Sequence, residues 1–253
     1  MITLVPFYKK IHNVPNKKLK HRLSFFDYED CLKKMKETFF YHHGQENKFI
    51  VQTDYETTLK KFDTFRSNLT DLSLIESISL SNKNFIEVNQ GNLVLVGADH
   101  IVCGNLNTVY EHDFDIATFI ARNDFDPMHR TNIINFLFIR CDNNNHAKIN
   151  KFMQHRHQIF QSLAVDERTW WGDQKSLSLL LEEKKIISNY FNDSISTQMF
   201  DGLKIKLFKY GEEYIRFPHD NLTILPNTVM IDFAGGHSVK QHFDHFYKLS
   251  LAK

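Results

Sequence analysis

The chain has 253 residues, 31 Lys and Arg against 30 Asp and Glu for a formal net charge of +1, and 42% hydrophobic residues. A balance this close to neutral excludes a globally basic polyanion binder, and no apolar run approaches the ~20 residues a membrane span needs. Three scattered cysteines, Cys31, Cys103 and Cys141, exclude a disulfide framework and a cysteine metal ribbon, and they fit a reducing cytoplasm.

In chain order, Ile2 to Tyr8 is too short for a leader and ends on Lys9-Lys10, so it reads as a first strand. The first 48 residues carry ten Lys and Arg against five Asp and Glu, a solvated face or an arm for an anionic acceptor. Apolar residues at helical spacing predict a helix over Phe25 to His42, capped by Ser24 with Asp27 at the capping-box position and stopped by Gly44. Lys48 to Thr53 reads as a strand, Thr57 to Phe65 as a short helix, and Leu72 to Leu80 as either. Phe85 to Val88, Leu93 to Val96, Ile101 to Cys103, Phe114 to Ala121 and Asn132 to Arg140 read as strands. Helices follow over Ile149 to Leu163 and Asp173 to Lys185. Short strands over 205–208, 214–217 and 229–233 then lead to a closing helix from Val239 to Leu249. Alternating strands and helices predict an α/β fold with a largely parallel central sheet, and no repeat or linker divides the chain, so one domain is expected.

Three segments carry chemistry. In LVLVGADHIVCGNL (residues 93–106) an apolar strand delivers Asp99 to its carboxyl end, where open α/β sheets bind ligands. The second segment is Trp170-Trp171-Gly172-Asp173-Gln174. The third is Asp232-Phe233-Ala234-Gly235-Gly236-His237-Ser238-Val239-Lys240. A diphosphate leaving group gains negative charge as its bond breaks, and a divalent cation or Lys and His donors neutralise it. Asp99, with Asp232 or His237, supplies hard-cation ligands, and His tolerates Mn better than Mg. Lys240 and His237, beside Gly235-Gly236, can instead clamp the diphosphate directly. Asp173 at the start of an apolar helix is also a natural cap, and the tryptophan pair suits either a core or a sugar-stacking surface. No Walker loop, G-x-G-x-x-G or G-x-S-x-G is present.

In order and spacing these segments resemble the GT-A fold nucleotide-sugar glycosyltransferases of the glycogenin and bacterial lipopolysaccharide galactosyltransferase type. Their D-x-D motif is met by Asp99, Gly104 and Leu106, with Gly97 in place of the first Asp. Gly172-Asp173-Gln174 matches the family's G-D-Q. Residues 232–240 approximate its H-F-x-G-x-x-K, with Asp232 where His is usual.

The resemblance implies a GT-A (Rossmann-like), mainly parallel sheet in one domain. Residues 1–105 form its nucleotide-sugar half and 106–253 its acceptor and catalytic half. It implies retaining hexosyl or pentosyl transfer from a nucleotide-diphospho-sugar such as a UDP-sugar. Asp173 and Gln174 then lie near the anomeric carbon. Tyr8, Asp99, Asn135, Gly235, Gly236 and Lys240 hold the donor, and Trp170, Trp171 and Arg122 the acceptor. Asp99, Asp232 and His237 bind a divalent Mn or Mg whose site lacks one carboxylate. Asn132 and Arg140 are further polar candidates. If the enzyme inverts, Asp173 is the first choice of base, and Asp124 or Asp126 the second. The acceptor is a glycan or a hydroxymethylated base of phage DNA. The expected location is the cytoplasm, or that of an infected host cell if the chain is viral, with no integral membrane segment. Two rivals remain: a nucleotidyltransferase, and a nucleotide-sugar-binding protein without turnover.

Overall fold

The computed structural model describes residues 1–10, 27–120, 133–168, 172–216, 223–233 and 239–252. The side chains of 133–135 and 239–241 lie outside the described set. An eight-stranded sheet forms the centre, in the order β3-β2-β1-β4-β7-β6-β9-β8. Its strands are β1 (Ile2–Pro6), β2 (Lys48–Asp54), β3 (Asp63–Ser67), β4 (Gly91–Val96), β6 (Ile116–Ile120), β7 (Ile133–Cys141), β8 (Thr197–Phe200) and β9 (Leu203–Lys209). β3, β2, β1 and β4 are mutually parallel, β6 pairs parallel with β9, and β7 and β8 run antiparallel to their neighbours. The carboxyl ends of β1 and β4 adjoin where the strand order reverses, the switch point at which such sheets bind ligands. A second sheet holds β5 (His100–Val102), β10 (Tyr214–Arg216) and β11 (Thr228–Asp232), in the order β10-β11-β5.

Side chains alternate across the central sheet with the period of two that strand geometry imposes. Val94, Phe119, Phe136, Phe138 and Phe208 face one side, where α1 (Tyr28–His43) packs through Leu32, Met35 and Phe39. Leu93, Leu95, Leu137, Ile139, Ile205 and Leu207 face the other. That side is covered by α2 (Leu74–Val88), α3 (His146–Ser162), α4 (Gly172–Glu182) and α5 (Ile186–Asp193). A 3-10 helix over Leu106–Glu111 and the closing helix α6 (Val239–Leu251) complete the described fold. No helix among the described residues is long and apolar enough to cross a membrane.

Three expectations need correction. The expected helix over 57–65 is a turn leading into β3. Asp54 accepts the Thr57 N–H at 2.7 Å, and Arg66 Nη1 donates to the Asp54 and Thr57 carbonyls, folding the segment back so that Val51 and Gln52 pair with Thr64 and Phe65. Phe85 to Val88 is the end of α2 instead of a strand. Buried Ser77, Ser79 and Ser81 hide that helix's apolar face, while Ser73 caps it by accepting the Glu76 N–H. α1 starts at Tyr28, because Asp27 is itself the cap and accepts the Glu29 and Asp30 N–H groups. Ser24, Phe25 and Phe26 lie outside the described residues.

His43 is buried at the end of α1, and its Nε2 accepts the Leu106 N–H at 3.1 Å. Burial, aided by His42, pulls its pKa from 6.5 down to about 4. The unfolded chain therefore binds this proton at a higher pH than the folded one. The stability that neutral His43 contributes is full above about 6.5 and is lost as the pH falls towards 4, by at most about 3 kcal/mol. We expect His43→Gln to flatten the pH dependence of urea unfolding between those values, and an unchanged slope would contradict it.

Candidate functional site

The strand-end motif ties two segments together. β5 runs antiparallel to β11, setting Asp232 opposite His100, and the Phe233 N–H donates to the Asp99 carbonyl at 3.1 Å. Asp99 from the β4–β5 connection and Asp232 from the end of β11 thus meet. His100, which the sequence reading passes over, lies between them. Its Nε2 is 3.3 Å from Asp232 Oδ1, and its Nδ1 is 3.5 Å from Asp99 Oδ1 and 3.1 Å from the Gly97 carbonyl. One ligand atom from each of the three side chains lies within 4.8 Å of the other two.

Gly97 explains how the imidazole fits. A Cβ at that position would stand 2.7 Å from Asp99 Oδ1 and 3.2 Å from His100 Cε1. A side chain at 97 and the His100 ring in this position therefore compete for the same space. His100 is further held edge-on against the Phe136 ring, 5.0 Å between centroids. His100 and Asp232 are 6% and 4% exposed, and the Asp99 side chain is more open at 21%.

The electrostatics call for a positive charge. Burial, opposed by His100 and reinforced by Asp232, raises the Asp99 pKa above its usual 3.8. The Tyr210 hydroxyl donates to Asp232 Oδ2 at 2.8 Å, and burial followed by the Asp232 charge keeps that phenol protonated well above its ordinary range. His100 Nε2 faces Asp232 Oδ1 at 3.3 Å while its Nδ1 faces the Gly97 carbonyl. That spacing is close to the roughly 3 Å between adjacent ligands at ~2.1 Å from a small divalent ion. Two carboxylates and an imidazole suit Mn better than Mg, so these residues fit such an ion.

Tyr8 lies just past β1, on the same carboxyl edge, with its N–H donating to the Gln52 carbonyl at 2.9 Å. Burial, then the charges of Glu29 and Asp27, raises its pKa. Asp173 and Gln174 open α4 in a second group. Asp173 is 3% exposed, and its Oδ1 accepts the Gln174 N–H at 2.9 Å. Behind it, Arg156 of α3 is 1% exposed and donates to the Asp173 carbonyl at 3.1 Å, facing the Asp173 charge. Inside His155-Arg156-His157, a run that looks like solvated surface, Arg156 gives no sequence signal of this role.

Arg140 is drawn away from the site. β7 runs antiparallel to β4, which puts Arg140 at the opposite edge, donating to the Tyr110 and His112 carbonyls. Arg122, Asp124, Asp126, Asn132, Trp170, Trp171, Gly235, Gly236 and His237 lie outside the described residues, as do the side chains of Asn135 and Lys240.

No family model matches the chain, and no curated protein matches it. Solved structures do. The apo form of the glycosyltransferase GlyE of Streptococcus pneumoniae TIGR4 superposes with a TM-score of 0.51 at 11% identity, covering 99% of this chain and 62% of that one. A second GlyE structure gives 0.53 at 12%, with the same coverage. The chain thus spans about three-fifths of the length of the solved structures it matches. At such identities the likeness is one of fold, and the fold of this chain is a GT-A-like glycosyltransferase fold.

Proposed function

We propose that the chain transfers a sugar from a nucleotide-diphospho-sugar to a hydroxyl acceptor. The observation that carries this reading is the Asp99–His100–Asp232 cluster beside the β1–β4 switch point. There a diphosphate laid along the carboxyl ends of the strands meets a cation-binding group. A divalent Mn or Mg held by Asp99, His100 and Asp232 would neutralise the departing nucleoside diphosphate. Tyr8 offers its ring to the base. Asp173 and Gln174 would orient the anomeric centre, with Arg156 donating to the Asp173 carbonyl from behind. Retention is the stereochemistry we infer. His237, Lys240, Gly235 and Gly236 would close on the diphosphate, Asn135 would contact the donor, and Trp170, Trp171 and Arg122 would receive the acceptor. Residues 1–105 would then serve the donor and 106–253 the acceptor. We take the acceptor to be a glycan, with hydroxymethylated phage DNA as the alternative, and the compartment to be the cytoplasm.

Gly97 favours a second reading, nucleotide-sugar binding without turnover, since the cluster has one carboxylate fewer than the resembling enzymes. Binding comes first in either case. In a thermal-shift series of UDP, GDP, TDP and CDP, with and without Mn, one diphosphate is expected to raise the melting temperature by several degrees. The shift should need the cation and should fade on acidification, at a pH above the usual aspartate range, as Asp99 takes up its proton. No stabilisation by any of them would reject both readings.

A further inference from the structure

At the other end of the β5–β11 ribbon lies a cleft of about 810 Å³. It is walled by the end of α1, the 105–108 turn, the 212–214 turn and residues 226–229. The reaction cluster sits at the His100–Asp232 end of these strands and the cleft at the Cys103–Thr228 end, four residues along β11. At 3.3 Å per residue the two are roughly 13 Å apart.

Two observations mark the cleft as built for a ligand. Thr228 on its wall is 1% exposed, yet its Oγ1 has no hydrogen-bond partner among the described residues. Buried hydroxyls are normally paired, so this one has a bonding position left open among the described residues. Tyr214, also on the wall, is held at φ 54, a left-handed conformation that aromatic residues rarely adopt, with its hydroxyl 2.6 Å from His112 Nε2. Gly104 lets the two backbones close up, for a Cβ there would stand 2.8 Å from the Thr228 carbonyl.

From this lining we infer that the cleft is a second carbohydrate site, which holds a neutral oligosaccharide away from the reaction centre. The lining includes the aromatic rings of Tyr41 and Tyr214, the amide of exposed Asn227, the carboxylate of Glu213 and buried Thr228. A polyhydroxyl chain donates to carboxylates, accepts from amides and does both with a hydroxyl. Its apolar C–H faces cover tyrosine rings. Glu212 and Glu213 turn away an anionic ligand. The volume falls in the range of small-molecule pockets.

The test needs neither nucleotide nor metal, so its failure is separable from failure of the transferase reading. The full chain is applied to an array of neutral gluco-, galacto- and manno-oligosaccharides of two to six units. At least one series is expected to be retained. Tyr41→Ala and the cleft-filling Asn227→Trp should lower that retention at least tenfold, while the response to nucleoside diphosphates stays unchanged. Thr228→Val should weaken retention several-fold and leave the melting temperature equal or higher, since the lost hydroxyl has no partner in the described fold. Retention of none of the series, retention unaffected by Asn227→Trp, or retention of anionic glycans only would overturn the inference.

Discussion

Asp99→Asn is expected to lower the kcat/KM for release of nucleoside diphosphate by about 10³-fold without destabilising the protein. The substitution keeps the shape of the side chain and removes its charge. Loss of one charge-stabilising group in a preorganised centre costs about 10²–10³ in rate, and in the proposed reaction the same group would also help to recruit the cation. The stability effect has the opposite sign. Because burial and the Asp232 charge raise the Asp99 pKa above 3.8, the ionised carboxylate costs the folded state stability at neutral pH. Removing that charge relieves the strain, so the melting temperature without ligand should hold or rise. Activity and stability moving in opposite directions is the mark of a functional site. A variant that keeps its activity, or loses it only by unfolding, would contradict the role assigned to Asp99.

Arg156→Met is expected to cost about 3 kcal/mol or more of folding stability, read by urea denaturation. The guanidinium is among the largest fully buried side chains of the described protein, it donates to the Asp173 carbonyl, and it faces the Asp173 charge. Removing the guanidinium leaves the Asp173 carbonyl without this donor and the buried Asp173 carboxylate without the positive charge that faces it. Met fills much of the volume, so the loss reports charge more than cavity. Adding Asp173→Asn should restore at least about 1 kcal/mol, because the carboxylate that lost its counter-charge is then neutral. Strictly additive losses in the two variants would show that Arg156 does not act through Asp173.

Strands β1, β2, β4 and β7 were legible because strands covered on both faces read as continuous apolar runs. α2 was hidden by three buried serines on its packing face. The hairpin from β8 to β9 was overlooked although its turn, Asp201-Gly202 with φ of 47° and 81°, carries the Asp-Gly pair that such turns favour. At the site, Asp99 and Asp232 were legible from their motif positions 133 residues apart. His100 was adjacent to a named residue and still missed, since a pattern that expects a carboxylate at 97 gives no reason to look for an imidazole at 100. Only the clash between a side chain at 97 and the His100 ring connects the two positions.

The most direct measurement is the release of nucleoside diphosphate from a panel of nucleotide sugars, with Mn or Mg present or chelated, by the unmodified chain and by Asp99→Asn. One nucleotide sugar is expected to be consumed, at a rate that needs the cation, and the variant is expected to fall to background. No release from any nucleotide sugar with either cation would contradict glycosyl transfer.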